Sequence, residues 1–505
     1  MKRSYEHTKF CLIFLTGLLI FSLSGCGGDS SNADVPLSTD NINLIFVASS
    51  DLAYNADGDI SPVTANLTNQ GLQRSLLMAT YLKVNVLGNE NVTSIYALAP
   101  MTHLQTANNY PDMNAIGSIQ QFALLNQHTV SIPPADGYSS YTAYSYPIKA
   151  AYAEGSVPDG VMAPKDYCPD CAGLDFNDTS DNNIDIATGI IDEDIPGFYV
   201  FSAPWETSNV LMDKINRYHG YALDIPTNYR GPNLVYVIII SPDGNARLIT
   251  YDSNLKPPST YPELPSPVAS ALCPNTQQDH YSESFIGGDD GVVIPANINT
   301  NEVIYIVRHA EAHPDPSCYF ENGNFVGAGQ WRALELPNAL SGKISPDMVY
   351  SIDPAQWFSK EQLKLLDYIN VSYVRPSLTI LPYVIANDLP YYLVSNFLFT
   401  NTAQGQLASD FFFTGGAFSN KTVLLAWESG RIKKIINALL SSYGVIEGNP
   451  LRLDEHWPHT DYDTIWTVTL DEDGNLTVDN ALCEGIDSEK LPVEAPQFLT
   501  LLWPG

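Results

Sequence analysis

Positive charge is scarce in this 505-residue chain: 24 Lys and Arg stand against 56 Asp and Glu, for a formal net charge of −32. So acidic a surface repels nucleic acid and anionic lipid, which excludes partners held by bulk positive charge. It also repels phosphate esters at long range, so any anion site must be a local basic pocket. Cysteine is sparse as well, seven in all. Cys168 and Cys171 form a close pair, "CPDC"; with no second such pair to complete a zinc site, a local disulfide is favoured over metal or redox work. A membrane-spanning run is missing: the N-terminal apolar stretch from Cys11 to Phe21 has 11 residues, against the about 20 that cross a bilayer. Apolar content is ample. Hydrophobic residues make up 45% and charged residues 16%, a globular composition whose length predicts two or three domains.

The N-terminus reads as a targeting segment. Lys2, Arg3 and Lys9 precede the apolar stretch, and "LSGC" (Leu23 to Cys26) follows it. This resembles a bacterial lipoprotein signal, with residues 1–25 removed, Cys26 lipidated and 26–40 a flexible tether. An ordinary secretory signal cut near Ser24 is the alternative. The expected location is the bacterial cell envelope, anchored to the membrane through the lipid on Cys26, and the outer membrane if the cell is Gram-negative, because Gly27 follows the cysteine. In such an oxidising compartment the remaining cysteines can pair, in a pattern the sequence does not reveal.

The chain also matches itself. "NLIFVASSD" parallels "VIYIVRHAE", "GLQRSLLMATYL" parallels "GQWRALELPNAL", and "IYALAP" parallels "VYSIDP". "YVFSAPWETSNVLMDKI" parallels "VLLAWESGRIKKI", pairing Trp205 with Trp427, and "VIIISPDGNARL" parallels "VTLDEDGNLTV". Five matches in one order predict a tandem duplication, with domains at 41–254 and 301–505. Between them, 255–300 opens on "KPPSTYPELPSP", whose prolines suit an extended linker. In each repeat apolar strands alternate with helical segments and a closing strand pair turns on Asp-Gly. The expected fold is α/β, two domains that pack together, each a mostly parallel sheet flanked by helices. Ligands of such sheets sit at the carboxyl ends of the strands, where Arg308 and His309, and Trp427-Glu428-Ser429, fall.

A neutral, positioned histidine can attack phosphorus, and an adjacent arginine can bind the phosphoryl oxygens and stabilise transition-state charge. "IYIVRHAE", "GxxRA" at Gly329 to Ala333, "VYSIDP", "YVRPSLTILP", "TVLLAWESGRI" and "DYDTIW" occur in order. Together they resemble the histidine phosphatase superfamily, the phosphoglycerate mutase-like proteins, over nearly all of 301–505. The resemblance implies His309 as the phosphorylated nucleophile, with Arg308 and Arg375 as phosphate clamps. It needs no metal or nucleotide cofactor, and its substrate would be a phosphorylated small molecule.

The departures are as informative. Ser429 stands where the family has a second pocket histidine; losing one such donor costs about 10²–10³ in rate. His459 could reach the pocket instead, though an exposed loop histidine is the simpler reading, and His313 reads as a rim residue. Glu311 and Glu428 are the candidates for the general acid. In the first repeat Ala48 and Ser49 replace Arg308 and His309, Thr207 corresponds to Ser429, and His103 stands where an arginine is common, so this domain is expected to be degenerate. Two functions follow: a membrane-anchored phosphomonoester phosphatase of altered activity, or a silent binding or scaffold module. Asp181, Asn183 and Asp185 have calcium-like spacing, but Ile186 occupies the position of the glycine, so a solvated loop is favoured. "YSSYTAYSYP" (Tyr138 to Pro147) fits a binding loop or an extended surface strand.

Overall fold

The computed structural model describes residues 35–498, apart from 55–56, 133–138, 144, 153–155, 158–172, 266, 275, 290, 313–321, 356–370 and 395–401. Cys26, Cys168, Cys171, His313 and Cys318 lie outside the described residues. Among the described residues, no helix is long and apolar enough to cross a membrane.

The first half runs β1 (Ile42–Ala48), α1 (Asn69–Tyr81), β2 (Ser94–Ala97), a small hairpin of β3 (Leu104–Gln105) and β4 (Tyr110–Pro111), and α2 (Asn114–Leu124). A second hairpin, β5 (His128–Ile132) and β6 (Ser139–Ala143), places half of the tyrosine-rich stretch in an extended strand. There follow β7 (Ile148–Lys149), α3 (Asn182–Asp192), β8 (Gly197–Ala203), α4 (Trp205–His219), β9 (Leu234–Ile240) and β10 (Ala246–Asp252). The second half runs β11 (Ser282–Phe285), β12 (Glu302–Arg308), α5 (Gly327–Ala339), β13 (Met348–Ile352), α6 (Arg375–Asn387) and β14 (Tyr391–Val394). It ends with α7 (Thr402–Phe413), β15 (Thr422–Trp427), α8 (Ser429–Ser442), β16 (Thr464–Leu470) and β17 (Leu476–Cys483).

The two large sheets have strand orders β10-β9-β1-β8-β2-β7 and β11-β17-β16-β12-β15-β13-β14. Apart from β11, the second order repeats the first. Both sheets are mixed: three of five strand pairings in the first and three of six in the second are parallel. Parallel pairing is confined to β1, β8, β2 and β7 and to β12, β15, β13 and β14, and the closing hairpins add antiparallel strands. Those hairpins turn at Asp-Gly with Gly244 and Gly474 at φ +80° and +79°, which glycine adopts without a Cβ penalty. The 255–300 stretch carries order of its own: β11 pairs with β17, and Cys273 is disulfide-bonded to Cys483. Around the calcium-like spacing, Asn182–Asp192 is helical; Asp181 pairs with Lys214 at 2.8 Å and Asn183 bonds the backbone of Asp175.

Alternation along β1 explains the layering. Ile45 and Val47 face one core and Leu44 and Phe46 another, since successive side chains of a strand point to opposite faces. The first of these cores is common to both halves, joining α1 and α2 to α5 and α6. Helices approach closely there: a Cβ on Gly117 of α2 would lie 2.8 Å from Leu381 Cδ2 of α6. Ser372 Oγ accepts the backbone N–H groups of Ala150 and Ala151 at 2.9 and 3.0 Å, tying the halves together by hydrogen bonds as well. The opposite faces carry separate cores under α3 and α4 and under α7 and α8.

The motif "GxxR" has the same use in both halves. A Cβ at Gly71 would lie 2.1 Å from Asp59 O, and one at Gly329 2.7 Å from Glu311 O, so only glycine lets each helix start that close to the preceding chain. One turn on, Arg74 donates to Asp59 and to Leu255 O, and Arg332 donates to Glu311 and to Ile486 O.

Candidate active site

The carboxyl ends of β12, β15 and β13 form the second half's site. Arg308 is the last residue of β12 and is buried. Its guanidinium lies 3.9 Å above the Tyr462 ring. Nη1 donates to His459 O at 2.8 Å and Asp461 O at 2.9 Å, while Nε is buried with no hydrogen-bond partner among the described residues. His309, 3% exposed, donates its backbone N–H to Trp427 O at 3.0 Å. Its imidazole sits 6.2 Å from both the Tyr373 and Tyr462 rings, edge-on to the first. Its Nδ1 is 2.8 Å from Ala310 O. A carbonyl oxygen only accepts, so Nδ1 carries the hydrogen, and in the neutral ring Nε2 carries the lone pair.

Arg375 reaches the same place from α6, as its first residue. Its backbone N–H bonds Gly323 O at 3.0 Å, and Nε donates to Asn324 O at 3.0 Å. Gly323 lies at φ +74°, and a Cβ there would meet Ser372 O at 1.9 Å, so this turn needs glycine. The guanidinium is 5.3 Å from the Tyr373 ring. Ala310 N and Arg375 O share Thr379 Oγ1, at 2.9 and 2.8 Å. Arg308, His309 and Arg375 are thus gathered around two tyrosines. The first half supports this arrangement: Gln120 Nε2 donates to Asn324 Oδ1 at 3.0 Å, behind Arg375.

The two carboxyl candidates part company. Glu311 is bonded by Arg332 Nε at 2.8 and 3.0 Å and by Ser488 Oγ at 2.8 Å. It belongs to a buried cluster with Asp463 and Glu484 around one guanidinium. Burial pushes the Glu484 and Asp463 carboxyl groups up, against the Arg332 guanidinium, which lowers both. Glu428 is half-buried, caps α8 by accepting Gly430 N–H at 2.9 Å, and accepts Ser429 Oγ at 3.1 Å. The His459 side chain is exposed and only its carbonyl meets Arg308.

Three further groups lie within the quoted motifs, which did not single them out. Tyr373 and Tyr462 frame the imidazole from segments remote in the chain. Asp353 directly follows β13 at zero exposure; burial pushes it up to about 7.

The strand ladders also correct one pairing between the repeats. Ser49 N donates to Ala203 O at 2.9 Å as His309 N donates to Trp427 O, and Ala48 pairs with Ala203 as Arg308 pairs with Trp427. Trp205, not Thr207, therefore opens α4 where Ser429 opens α8; matching the tryptophans slips the register by two residues. Asn114, the first residue of α2, holds the place of Arg375. Here His103 Nε2 lies 2.7 Å from Asp51 Oδ2, with the ring stacked on Phe176 at 3.7 Å. Burial opposes its charged form, but Asp51, Asp112 and Glu206 outweigh burial and raise its pKa. Burial pushes Asp112 up to about 7.

No family model and no curated protein matches the chain. Among solved structures, one from Agrobacterium tumefaciens, provisionally named as the phosphohistidine phosphatase SixA, is similar over 34% of this chain and 92% of its own, at 12% identity and a TM-score of 0.21. A likeness at that score carries no argument about chemistry. The fold itself is α/β, with two mixed sheets flanked by helices.

Proposed function

We propose that the second half hydrolyses phosphomonoesters through a phosphohistidine on His309, as one of two tandem phosphoglycerate mutase-like domains in an envelope protein anchored by lipid on Cys26. The observation that carries this reading is the His309 Nδ1 contact with Ala310 O, which fixes the tautomer whose nucleophilic lone pair is on Nε2. In the first step a bond forms from Nε2 to phosphorus, and the ester oxygen leaves with its electron pair and takes a proton from a general acid. Water then attacks phosphorus, the P–N bond breaks, and phosphate and the neutral imidazole are restored. Arg308 and Arg375 would hold the phosphoryl oxygens, and an anion oxygen would satisfy the buried Arg308 Nε. Glu428 is the carboxyl left for the leaving oxygen, since Glu311 is committed to Arg332.

A second reading, a silent binding module, has its own support: backbone carbonyls engage Arg308 Nη1, and Ser429 supplies a hydroxyl bonded to Glu428 in place of a second imidazole. Hydrolysis of an aryl phosphate by the full chain, from acid to neutral pH, decides between them. Activity that is lost in His309→Ala and in His309→Gln supports the enzyme. Equal background rates in all three proteins overturn it in favour of the binding module.

A further inference from the structure

The first half's strand-end site has the opposite polarity to the second's. Its equivalents of Arg308, His309 and Arg375 are Ala48, Ser49 and Asn114, so every group proposed there for an anion is uncharged. In their neighbourhood stand Asp51, His103 and Asp112, from the loop after β1, the segment before β3 and the turn before α2. One donor atom from each lies within 4.8 Å of the others. The charged groups acting on His103 are all carboxylates: Asp51, Asp112 and Glu206.

We propose that Asp51 Oδ2, His103 Nε2 and Asp112 Oδ2 bind one divalent transition-metal cation, of which zinc is the representative. Three features beyond mere proximity support it. Asp112 is fully buried, and its Oδ2 has no hydrogen-bond partner among the described residues. The Gln105 amide lies beside it and eases its charge, but the two do not reach hydrogen-bond geometry. A carboxylate oxygen left bare at zero exposure costs free energy unless a cation or proton meets it.

The other oxygens are already used to orient the carboxylates. Asp51 Oδ1 accepts Ala53 N–H at 2.7 Å, and Asp112 Oδ1 accepts Asn114 N–H at 3.0 Å, which leaves each Oδ2 for the cluster. Stacking on Phe176, with the planes 11° apart, fixes the imidazole plane. The donor set also selects the ion. Zinc, with bonds of about 2.0–2.2 Å, holds tetrahedral ligands about 3.4 Å apart, so Asp51 and His103 would part by under about 1 Å. One imidazole nitrogen and two carboxylate oxygens leave a fourth position for water, and an imidazole ligand disfavours calcium and magnesium. The site is separate from the phosphatase reading and does not depend on it.

The test uses the full chain, stripped with chelator and titrated with Zn²⁺ by calorimetry, with Co²⁺ as a spectroscopic probe. The expected result is one Zn²⁺ per chain, weakened about 100-fold or more in Asp112→Asn and in His103→Gln. Tetrahedral Co²⁺ absorption bands should appear in the native chain and be absent from both variants. Circular dichroism of the metal-free proteins identifies a misfolded variant, and the partly exposed His103 position serves if Asp112→Asn is one. Absence of binding, binding that survives both substitutions, or saturation by Ca²⁺ in preference to Zn²⁺ would each overturn the proposal.

Discussion

Replacing Arg332 with methionine removes the one cation from a cluster of three buried carboxyl groups. Arg332 is fully buried in α5. Nε bonds both oxygens of Glu311, Nη1 bonds Glu484, Nη2 bonds Ile486 O and Ser488 Oγ at 3.0 Å each, and Asp463 lies 3.8 Å away. Removing one partner of a buried ion pair costs about 3–5 kcal/mol. The carbonyl and hydroxyl also lose their donor, at about 1 kcal/mol each, so the upper end of that range is expected. The pH dependence has a definite sign. Without the guanidinium, whose charge lowers them, the folded-state pKa values of Asp463 and Glu484 rise further above their unfolded values. The folded state then binds more protons than the unfolded one, and stability falls as pH rises. The loss should therefore be larger at pH 8 than at pH 5. Urea unfolding of the full chain, followed by tryptophan fluorescence at both pH values, measures it. Adding Glu311→Gln to the variant should restore about 1–3 kcal/mol at pH 8 by removing one stranded charge. A loss below about 1 kcal/mol, or one that does not change with pH, would refute the account of this cluster as a charge-compensated structural unit.

Asp353, raised by burial to about 7, keeps a proton that the unfolded chain releases above about pH 4, so stability should fall between about pH 4 and 7 by roughly 4 kcal/mol in all. Asp353→Asn should remove that slope and gain on the native chain in urea melts at pH 8; parallel profiles would contradict it. Glu428→Gln should slow aryl phosphate hydrolysis by about 10²-fold or more while leaving the urea midpoint nearly unchanged, and Glu311→Gln should chiefly lower the midpoint; the reverse pattern would exchange their roles. Ser429→His should raise the turnover rate by about 10²-fold if the missing imidazole is what limits it, with native and variant chains compared in the same assay. The Cys273–Cys483 disulfide spans 210 residues, and Cys273→Ala should lower stability by about 3–5 kcal/mol in urea melts.

Some of this was legible in the sequence. Continuous apolar strands, Asp-Gly turns and the repeated "GxxR" are local, and they anticipate β1 and β12, the closing hairpins and the start of α5. The Arg308-His309 pair is contiguous, so its place at a strand end followed from the pattern alone. Partners remote in the chain did not. The role of Glu311 depends on Arg332, 21 residues on, and Arg332 depends in turn on Glu484, a further 152 on. Asp51 and His103 are 52 residues apart, and neither segment signals that it meets the other. The tryptophan match misled because identity favours Trp205 with Trp427, whereas the hydrogen-bond ladder fixes which residue stands at the strand end. Likewise β11 is hidden in a proline-rich stretch, since its pairing depends on β17.

The apolar core common to both halves has a consequence for how this protein is lost. Neither half can open without exposing the face on which the other rests, so the chain should melt as one calorimetric unit. A lesion in the first half, remote from His309, would then deplete the second half's chemistry by lowering the amount of folded protein, with no change in the rate constant of the molecules that survive.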